Sequence, residues 1–381
     1  MNSPRMILIF ASILAVYGGA NAYIARRLYQ WLQILSLNIS AKVFVVVFVL
    51  IAVSLFLGFV PFPMSLKRIF AFIGAYWTGI FVYLLIFTLL SDITMLLGSL
   101  TRLVPSPTPQ SLLFWKGMAV VLLTTGFVCY GMFSAGQIRI VSYEIELRDA
   151  SLDGLKIVLI SDTHFGSINN TEKNLNKIVE EINGLNPDIV CLTGDIFNDD
   201  IGAIRDPAGA IALLSRIEST YGVFACLGNH DGGSTFPQMM EFLEESNIRL
   251  LKDEHVFIDG RLVLFGRLDE RPIGGFGELR RQDISETIVS VGAELPVVVM
   301  EHDPAHIGEY GSEVSLILAG HTHNGQVFPG MFITRAMYAA DYGHFQKDSK
   351  SPHVIITSGV STWGPPMRVG TNNEIVSITL R

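Results

Sequence analysis

Four long apolar runs occupy the opening third of the chain and constrain its fold more than any other feature. They are residues 6–25, 43–60, 69–90 and 118–135. Each run approaches the ~20 residues that an α-helix needs to cross the hydrocarbon core of a bilayer. A soluble helical bundle would need charged outer faces, and these runs contain no charged residue. The sequence therefore predicts an all-α transmembrane bundle of four helices.

The first run also resembles a signal peptide, but it is long, lacks an A-x-A cleavage site and is followed by three more apolar runs. We therefore expect a multi-pass protein of the cell membrane. An even number of spans places the N-terminus and the rest of the chain on the same side. Basic residues near the spans do not decide which side that is. They are Arg26, Arg27, Lys42, Arg102 and Lys116 at one face, against Arg5, Lys67, Arg68 and Arg139 at the other.

Charge separates the chain into two parts. Residues 1–135 contain eight basic residues and one acidic residue, Asp92, a net charge of +7, which leaves −15 for residues 136–381. From residue 155, short apolar runs alternate with helical stretches, as is typical of a layered α/β domain. We expect a transmembrane region over residues 1–138 and an α/β domain over residues 139–381, with no nucleic-acid partner.

Polar residues follow five of the apolar runs in the second part. They are Asp162 and His164 after LKIVLI, Asp195 after DIVCLT, Asn229, His230 and Asp231 after VFACLG, His302 after PVVVM, and His321 and His323 after SLILA. In open α/β sheets the ligand site lies at the carboxyl ends of the strands. Each residue alone has an ordinary explanation as a cap or a turn. All five together, in order, predict one site.

The chemistry of this set predicts a metal centre. Four imidazoles, two carboxylates and one amide oxygen suit divalent Mn, Fe or Zn better than Ca or Mg. Seven ligands are too many for one tetrahedral ion. Two ions ~3.5–4 Å apart that share a carboxylate would use all seven and leave positions open for water and substrate. We therefore expect two divalent ions, with His321 and His323 on neighbouring ions.

The ordered motifs D-x-H, G-D, G-N-H-D, a lone H after a strand, and G-H-T-H resemble those of the calcineurin-like metallophosphoesterases. The resemblance covers Leu155 to Arg381. It implies a four-layer α/β/β/α sandwich with a dinuclear centre at the strand ends. It also implies a role for each residue: Asp162, His164 and His323 on the first ion, Asp195 bridging, Asn229, His302 and His321 on the second ion, His230 at the phosphoryl group or as a proton donor to the leaving oxygen, and Asp231 orienting His230.

Two later features resemble a membrane-associated branch of that family, whose members carry G-H-T-H-G-G-Q and a late G-P-P-x-R. This chain has Gln326 and the segment GPPMR, with Asn324 where the branch has glycine. Asparagine tolerates the left-handed conformation and adds a polar group at the pocket edge, so Asn324 is a candidate substrate contact. Arg368 is a second candidate, either as a phosphate clamp or as part of a loop-stabilising ion pair.

These observations predict a membrane-anchored, dinuclear metal-dependent phosphoesterase. Its substrate would be a phosphodiester, pyrophosphate or phosphomonoester that is lipid-linked or related to the cell envelope. The resemblance implies this because some relatives in that branch hydrolyse the pyrophosphate of UDP-2,3-diacylglucosamine, while others resemble exported phosphoesterases. The expected partners are the lipid bilayer and this substrate, with no obligatory protein partner. Two alternatives stay open at this point: a tethered phosphatase for soluble nucleotides or phosphoproteins, and a non-catalytic metal-binding membrane sensor or transporter.

Overall fold

The computed structural model describes residues 4–58, 60, 62–147, 152–167, 172–292 and 294–381. The chain divides into two compact units, Met1–Gly131 and Met132–Arg381. The boundary expected between residues 138 and 139 stays a prediction. Each unit is described by itself below.

Four helices correspond to the four apolar runs, and they extend beyond the runs at most of their ends. They are α1 (Pro4–Ile34), α2 (Ala41–Leu57), α3 (Met64–Leu100) and α4 (Gln110–Ala135). Within the described residues, three segments are long and apolar enough to cross a membrane: Ile7–Ile34, Ser65–Leu100 and Gln110–Ala135. α2 has 17 residues, the lower limit for a span, since 17 residues rise only ~26 Å. The span expected over residues 43–60 therefore stays a prediction.

An ion cluster joins three of these helices. Asp92 on α3 lies 2.6 Å from the Nη2 atom of Arg27 on α1 and also pairs with the ammonium of Lys116 on α4. The hydroxyl of Tyr23 donates to Asp92 Oδ2 at 2.7 Å. Charged groups on apolar helices are costly unless they pair with one another. The charge of Asp92 therefore offsets the free-energy cost of placing Arg27 and Lys116 on apolar helices.

The second unit contains two sheets. Its strands in chain order are β1 (Ile138–Ile145), β2 (Lys156–Ile160), β3 (Ile189–Thr193), β4 (Val223–Cys226), β5 (Ile248–Leu250), β6 (Glu254–Ile258), β7 (Leu262–Gly266), β8 (Val297–Met300), β9 (Leu316–Ala319), β10 (Gly343–Phe345), β11 (His353–Ile356) and β12 (Asn373–Leu380). One sheet has the order β1-β12-β2-β3-β4-β5, and the other has the order β10-β11-β9-β8-β7-β6. Five helices accompany them: α5 (Glu172–Gly184), α6 (Pro207–Leu214), α7 (Phe236–Glu245), α8 (Ser285–Gly292) and α9 (Gly330–Met337).

Alternation along the strands builds three apolar layers. On β2, Ile157 and Leu159 pack between the two sheets, where they meet Val298 and Met300 of β8. Val158, on the opposite face of β2, packs with the apolar sides of α5, α6 and α7. A third cluster joins the outer face of the second sheet to α8. The expected four-layer α/β/β/α sandwich is therefore confirmed.

The first strand after α4 is a feature that the sequence pattern did not predict. β1 pairs in parallel with β12, from Ile138 opposite Asn373 to Ile145 opposite Leu380. The Asn373 side chain donates from Nδ2 to the carbonyl oxygen of Ala135 at 2.6 Å. β12 itself pairs antiparallel with β2. The α/β fold thus begins before residue 155.

Candidate metal centre

The predicted ligands come from the ends of five strands, divided between the two sheets. β2, β3 and β4 are parallel neighbours in the first sheet, while β8 and β9 are parallel neighbours in the second. The segments that follow these strands approach one another at one edge of the sandwich. There the structure brings six of the predicted side chains into two groups: Asp162, His164 and His323, and Asp195, His302 and His321.

The spacing within each group fits one ion. All ligand atoms of a group lie within 4.8 Å of one another. In the first group the Nε2 atoms of His164 and His323 are 3.2 Å apart. In the second, His302 Nε2 is 3.2 Å from His321 Nδ1. Two nitrogens that bind one ion at ~2.1 Å lie ~3.0–3.4 Å apart at right to tetrahedral angles.

Asp195 belongs to the second group and also lies near the first. Its Oδ2 atom is 3.2 Å from His302 Nε2 and 3.8 Å from His164 Nε2, which belongs to the other group. Its Oδ1 atom accepts a hydrogen bond from the backbone N–H of His230 at 2.9 Å, and this bond fixes the plane of the carboxylate. Asp195 therefore reaches both groups, and the bridging role that the resemblance implies for it stays a prediction.

Buried oxygen atoms without partners also point to a cation. Among the described residues, the side-chain oxygen of Asn229 and the Oδ1 atom of Asp162 are buried and have no hydrogen-bond partner. A buried acceptor without a partner costs about 1–3 kcal/mol. The backbone oxygen of Asn229 accepts a hydrogen bond from the N–H of Ile273 at 2.7 Å, which holds its loop. Two bound cations, one at each oxygen, would satisfy them, so the donor set fits two divalent ions.

The backbone of the site adopts a rare conformation. Five of the predicted ligands have positive φ angles: Asp162 (56°), His164 (46°), Asp195 (48°), His321 (70°) and His323 (49°). Each non-glycine residue in this region costs about 1–3 kcal/mol unless the surroundings hold it there. The packed segments around the site hold these five residues in this conformation.

Burial keeps most of the imidazoles neutral, the form that binds a metal ion. It lowers the pKa of His164 to about 4, and it lowers the pKa values of His321 and His323 as well. His302 differs: burial lowers its pKa, but the charge and hydrogen bond of Asp195, together with the charges of nearby carboxylates, outweigh burial and raise it. Its Nδ1 atom lies 2.7 Å from the carbonyl oxygen of Thr193, to which it donates, so Nε2 faces Asp195.

Comparison with known proteins identifies the second unit. The family described as calcineurin-like phosphoesterase matches residues 155–325. The chain carries a calcineurin-like phosphoesterase domain. An uncharacterized metallophosphoesterase of Campylobacter jejuni is 26% identical over 99% of this chain and 99% of its own length. A zebrafish (Danio rerio) protein named as a transmembrane protein with metallophosphoesterase domain is 29% identical over 70% of this chain and 63% of its own.

A 5'-nucleotidase precursor from Thermus thermophilus, known from its crystal structure, has a TM-score of 0.36 and 17% identity over 58% of this chain and 54% of that chain. The family match and the full-length relative identify the protein as a metal-dependent phosphoester hydrolase with apolar membrane helices. The non-catalytic sensor or transporter is therefore the weaker alternative. The individual ligand assignments stay predictions.

His230 of the phosphoesterase domain is held by a residue that the sequence did not indicate. Its Nδ1 atom lies 2.7 Å from Oδ1 of Asp199. The orienting role expected for Asp231 is wrong, because the carboxylate of Asp231 accepts the backbone N–H groups of Phe197 and Gly228 at 2.8 and 2.7 Å. The Asp231 side chain is fully buried and joins these two loops instead.

Arg368 cannot clamp a phosphate in this structure. Its side chain is fully buried. The guanidinium donates to the carbonyl oxygens of His323, Ser358 and Ser361 at 2.9, 2.6 and 2.5 Å and to the Asn373 side chain at 2.7 Å. It forms no ion pair with any residue that the structure describes, and burial lowers its pKa to about 10. Both expectations for Arg368 are therefore wrong: it joins the last ligand turn to the segment after β11.

Two further residues complete the edge of the site. Asn324 has φ 50° and ψ 37°, the left-handed conformation expected of it, and its side chain is buried. Its role as a substrate contact stays a prediction. Trp363, which the sequence analysis did not single out, lies with its ring centroid 5.6 Å from that of His230 and is half exposed. Its position in the GPP segment was visible in the sequence, but its contact with His230 was not.

Proposed function

We propose that the protein is a membrane-anchored, dinuclear metal phosphoesterase that hydrolyses a phosphodiester, pyrophosphate or phosphomonoester on a lipid-linked or envelope-related substrate. The observation that carries the chemical part is the position of Asp195, which lies 3.2 Å from His302 of its own group and 3.8 Å from His164 of the other group. A single carboxylate in contact with both groups is what a pair of neighbouring ions requires.

Each proposed ligand is assigned to one of the two ions or to both. Asp162, His164 and His323 would hold one ion, Asn229, His302 and His321 the other, and Asp195 both. Two such ions would supply positive charge for the phosphoryl oxygens and a water of lowered pKa. Mn, Fe and Zn are the candidates because the ligand set is rich in imidazole.

His230 is proposed to give a proton to the leaving oxygen. Because its Nδ1 atom is bound to Asp199, the Nε2 atom is the one that can serve the substrate. Its ring centroid lies 5.3 Å from that of His164, so it stands beside the ligand groups. Burial lowers the pKa of His230, but the hydrogen bond with Asp199 and the charge of Asp195 outweigh burial and raise it. The protonated form required of an acid is thus favoured.

The lipid-linked substrate is proposed because apolar helices and a phosphoesterase domain occur in one chain. An enzyme held in a membrane meets membrane substrates in two dimensions, and their acyl chains can stay in lipid while the phosphate reaches the metal centre. We further propose that the N-terminus and the domain lie on the same side of the cell membrane. A tethered phosphatase for soluble substrates is the competing proposal.

The test uses the full chain reconstituted in phosphatidylcholine vesicles, stripped with a chelator and reloaded with Mn, Fe or Zn. Three matched substrate pairs cover the bond types: phosphatidic acid and glycerol 3-phosphate, CDP-diacylglycerol and CDP-glycerol, and phosphatidylglycerol and glycerophosphoglycerol. We expect metal-dependent hydrolysis, with the lipid member of one pair preferred. Hydrolysis of bis-p-nitrophenyl phosphate without lipid preference in any pair would favour soluble substrates. Loaded protein that hydrolyses none of these compounds would reject the phosphoesterase proposal.

A further inference from the structure

Exposed apolar side chains in the second unit are concentrated around α9. Nine large apolar residues of the described part of residues 136–381 are exposed. Five of them, which we call the apolar rim, lie on α9, just before it, or on the loop that contains Trp363. They are Phe328 (39% exposed), Phe332 (57%), Ile333 (60%), Met337 (70%) and Trp363 (49%). Scattered apolar residues are ordinary on a protein surface, whereas a group of this kind marks an interaction site.

Ring contacts, helix spacing and hydrogen bonds relate the members of the rim to one another. The rings of Phe328 and Phe332 are 5.8 Å apart. Ile333 and Met337 are four residues apart on α9 and so share one side of the helix. Trp363 is tied to the same segment by Gln326, whose side chain accepts the Trp363 N–H at 2.9 Å and donates to its carbonyl oxygen at 2.9 Å.

The rim borders the metal centre on two sides. α9 packs against the turn His323–Gly325, so tightly that a Cβ atom on Gly325 would collide with the backbone of Gly330 and Met331. At the other end of α9, the ring of Tyr338 lies 6.2 Å from that of His321. Whatever covers the rim is therefore held beside the ligand groups.

The local charge suits a lipid surface. Residues 326–340 contain one basic residue, Arg335, and no acidic residue, although residues 136–381 together carry a net charge of −15. An anionic bilayer would repel most of this acidic unit but not the rim. Aromatic side chains, methionine and a single arginine are also typical of a helix that lies in a membrane interface.

We infer that the apolar rim inserts into the headgroup region of a lipid bilayer. The same chain carries three helices long and apolar enough to cross a membrane, so lipid is present wherever the protein is. Insertion places the mouth of the metal centre at the level of the lipid headgroups. This inference concerns binding and stands independently of the proposed activity, because insertion needs no turnover.

The experiment measures contact between the rim and lipid in the full chain. Cys191 and Cys226 are fully buried, so a Cys129→Ala background leaves no reactive thiol among the described residues. Met337→Cys in this background is labelled with the fluorophore NBD and reconstituted in phosphatidylcholine vesicles that contain doxyl-labelled phosphatidylcholine. Val289→Cys is the matched control, since Val289 is an apolar residue on α8 with 59% exposure.

We expect the doxyl lipid to quench the label at residue 337 at least about twofold and to leave the label at residue 289 nearly unchanged. Adding Phe332→Ser and Ile333→Ser should abolish quenching at residue 337, while hydrolysis of bis-p-nitrophenyl phosphate stays unchanged and reports an intact metal centre. Equal quenching at both positions, or none at residue 337, would overturn the inference. A second result would also overturn it: no quenching by the doxyl lipid, together with protection of the label at residue 337 from aqueous iodide in detergent, where the protection increases with protein concentration. That result would show that a second copy of the chain covers the rim.

Discussion

Asp199 Oδ1 lies 2.7 Å from His230 Nδ1, and the two residues form a carboxylate–imidazole pair at the edge of the ligand groups. The arrangement holds the ring by one nitrogen and leaves the other for the substrate. It also gives Asp199 a function that can be separated from metal binding, since Asp199 belongs to neither ligand group.

Asp199→Asn should lower turnover about 10- to 100-fold while bound metal stays constant, because an outer partner orients the ring without holding the ion. Asp199 raises the pKa of His230. If protonated His230 is the acid, activity falls as pH rises through that pKa, and removal of the carboxylate moves this fall to lower pH. Rate profiles of both proteins against pH, with metal analysis, provide the check. If the fall of the rate at high pH is the same in both proteins, the proposed action of Asp199 on His230 is wrong.

His230→Ala should have a larger effect than Asp199→Asn. The loss of a proton-transfer group lowers turnover by about 10² to 10⁴. Both ions should remain, because the side chain of His230 is in neither ligand group. Single-turnover rates on bis-p-nitrophenyl phosphate and metal content per chain measure the two quantities. A variant that loses metal would place His230 among the ligands.

Asp195→Asn should abolish metal binding at one or both positions and nearly all hydrolysis. The amide oxygen of asparagine can still accept the His230 N–H that Asp195 Oδ1 now accepts, so we expect the fold to survive. Circular dichroism and metal analysis on the same sample separate the two effects. Two ions per chain together with full activity would show that another residue bridges.

Arg368→Lys should destabilise the second unit without acting primarily on substrate binding. Lysine keeps the charge but cannot reach the three carbonyls and the Asn373 side chain that the guanidinium contacts. The loss of such bonds costs about 3 kcal/mol, or roughly 6–12 °C in unfolding midpoint for a unit of this size. The exposed Arg205→Lys is the control and should leave the midpoint unchanged. If Arg368→Lys has a normal unfolding midpoint and a raised KM, Arg368 binds the substrate phosphate after all.

Gly320→Ala should weaken metal binding through a steric effect. A Cβ atom at this position would lie 2.0 Å from Oγ of Ser161 and 2.6 Å from Oδ2 of Asp162, whose Oδ1 atom is a proposed ligand. The carboxylate would have to move, and we expect metal affinity to fall about 10-fold or more. Gly184→Ala is a suitable comparison, because its Cβ atom would meet nothing within 4 Å. Titration of the stripped proteins with Mn would show the difference, and equal affinities would mean that the site adjusts freely.

The sequence predicts those features of this protein that depend on a few neighbouring residues. A run of apolar residues predicts α3, and an apolar run followed by Asp162 and His164 predicts both a strand and its ligands. Even the left-handed turn at Asn324 follows from residue type. These features depend on local patterns, which do not require knowledge of the chain's path.

What the sequence could not predict depends on that path. Asp199 and Asp231 are both acidic and both near His230, and only the folded loops show which one contacts it. Arg368 stands in an open-looking Gly-Pro segment, yet the backbone folds over it. β1 was missed because its partner strand is more than 200 residues away in the sequence, at Asn373–Leu380. Long-range pairing leaves little trace in a local pattern.

The place of β12 in the first sheet affects how the protein can be made. β12 lies between β1 and β2, although both of those strands precede every other strand in the chain. A ribosome therefore releases β1 and β2 long before the strand that joins them, and the edges of both stay open throughout synthesis of the intervening residues. Exposed strand edges can pair with other chains. Closure of the sheet must await residues 373–380, so the domain matures only after its membrane helices have been synthesised and its last strand has been released.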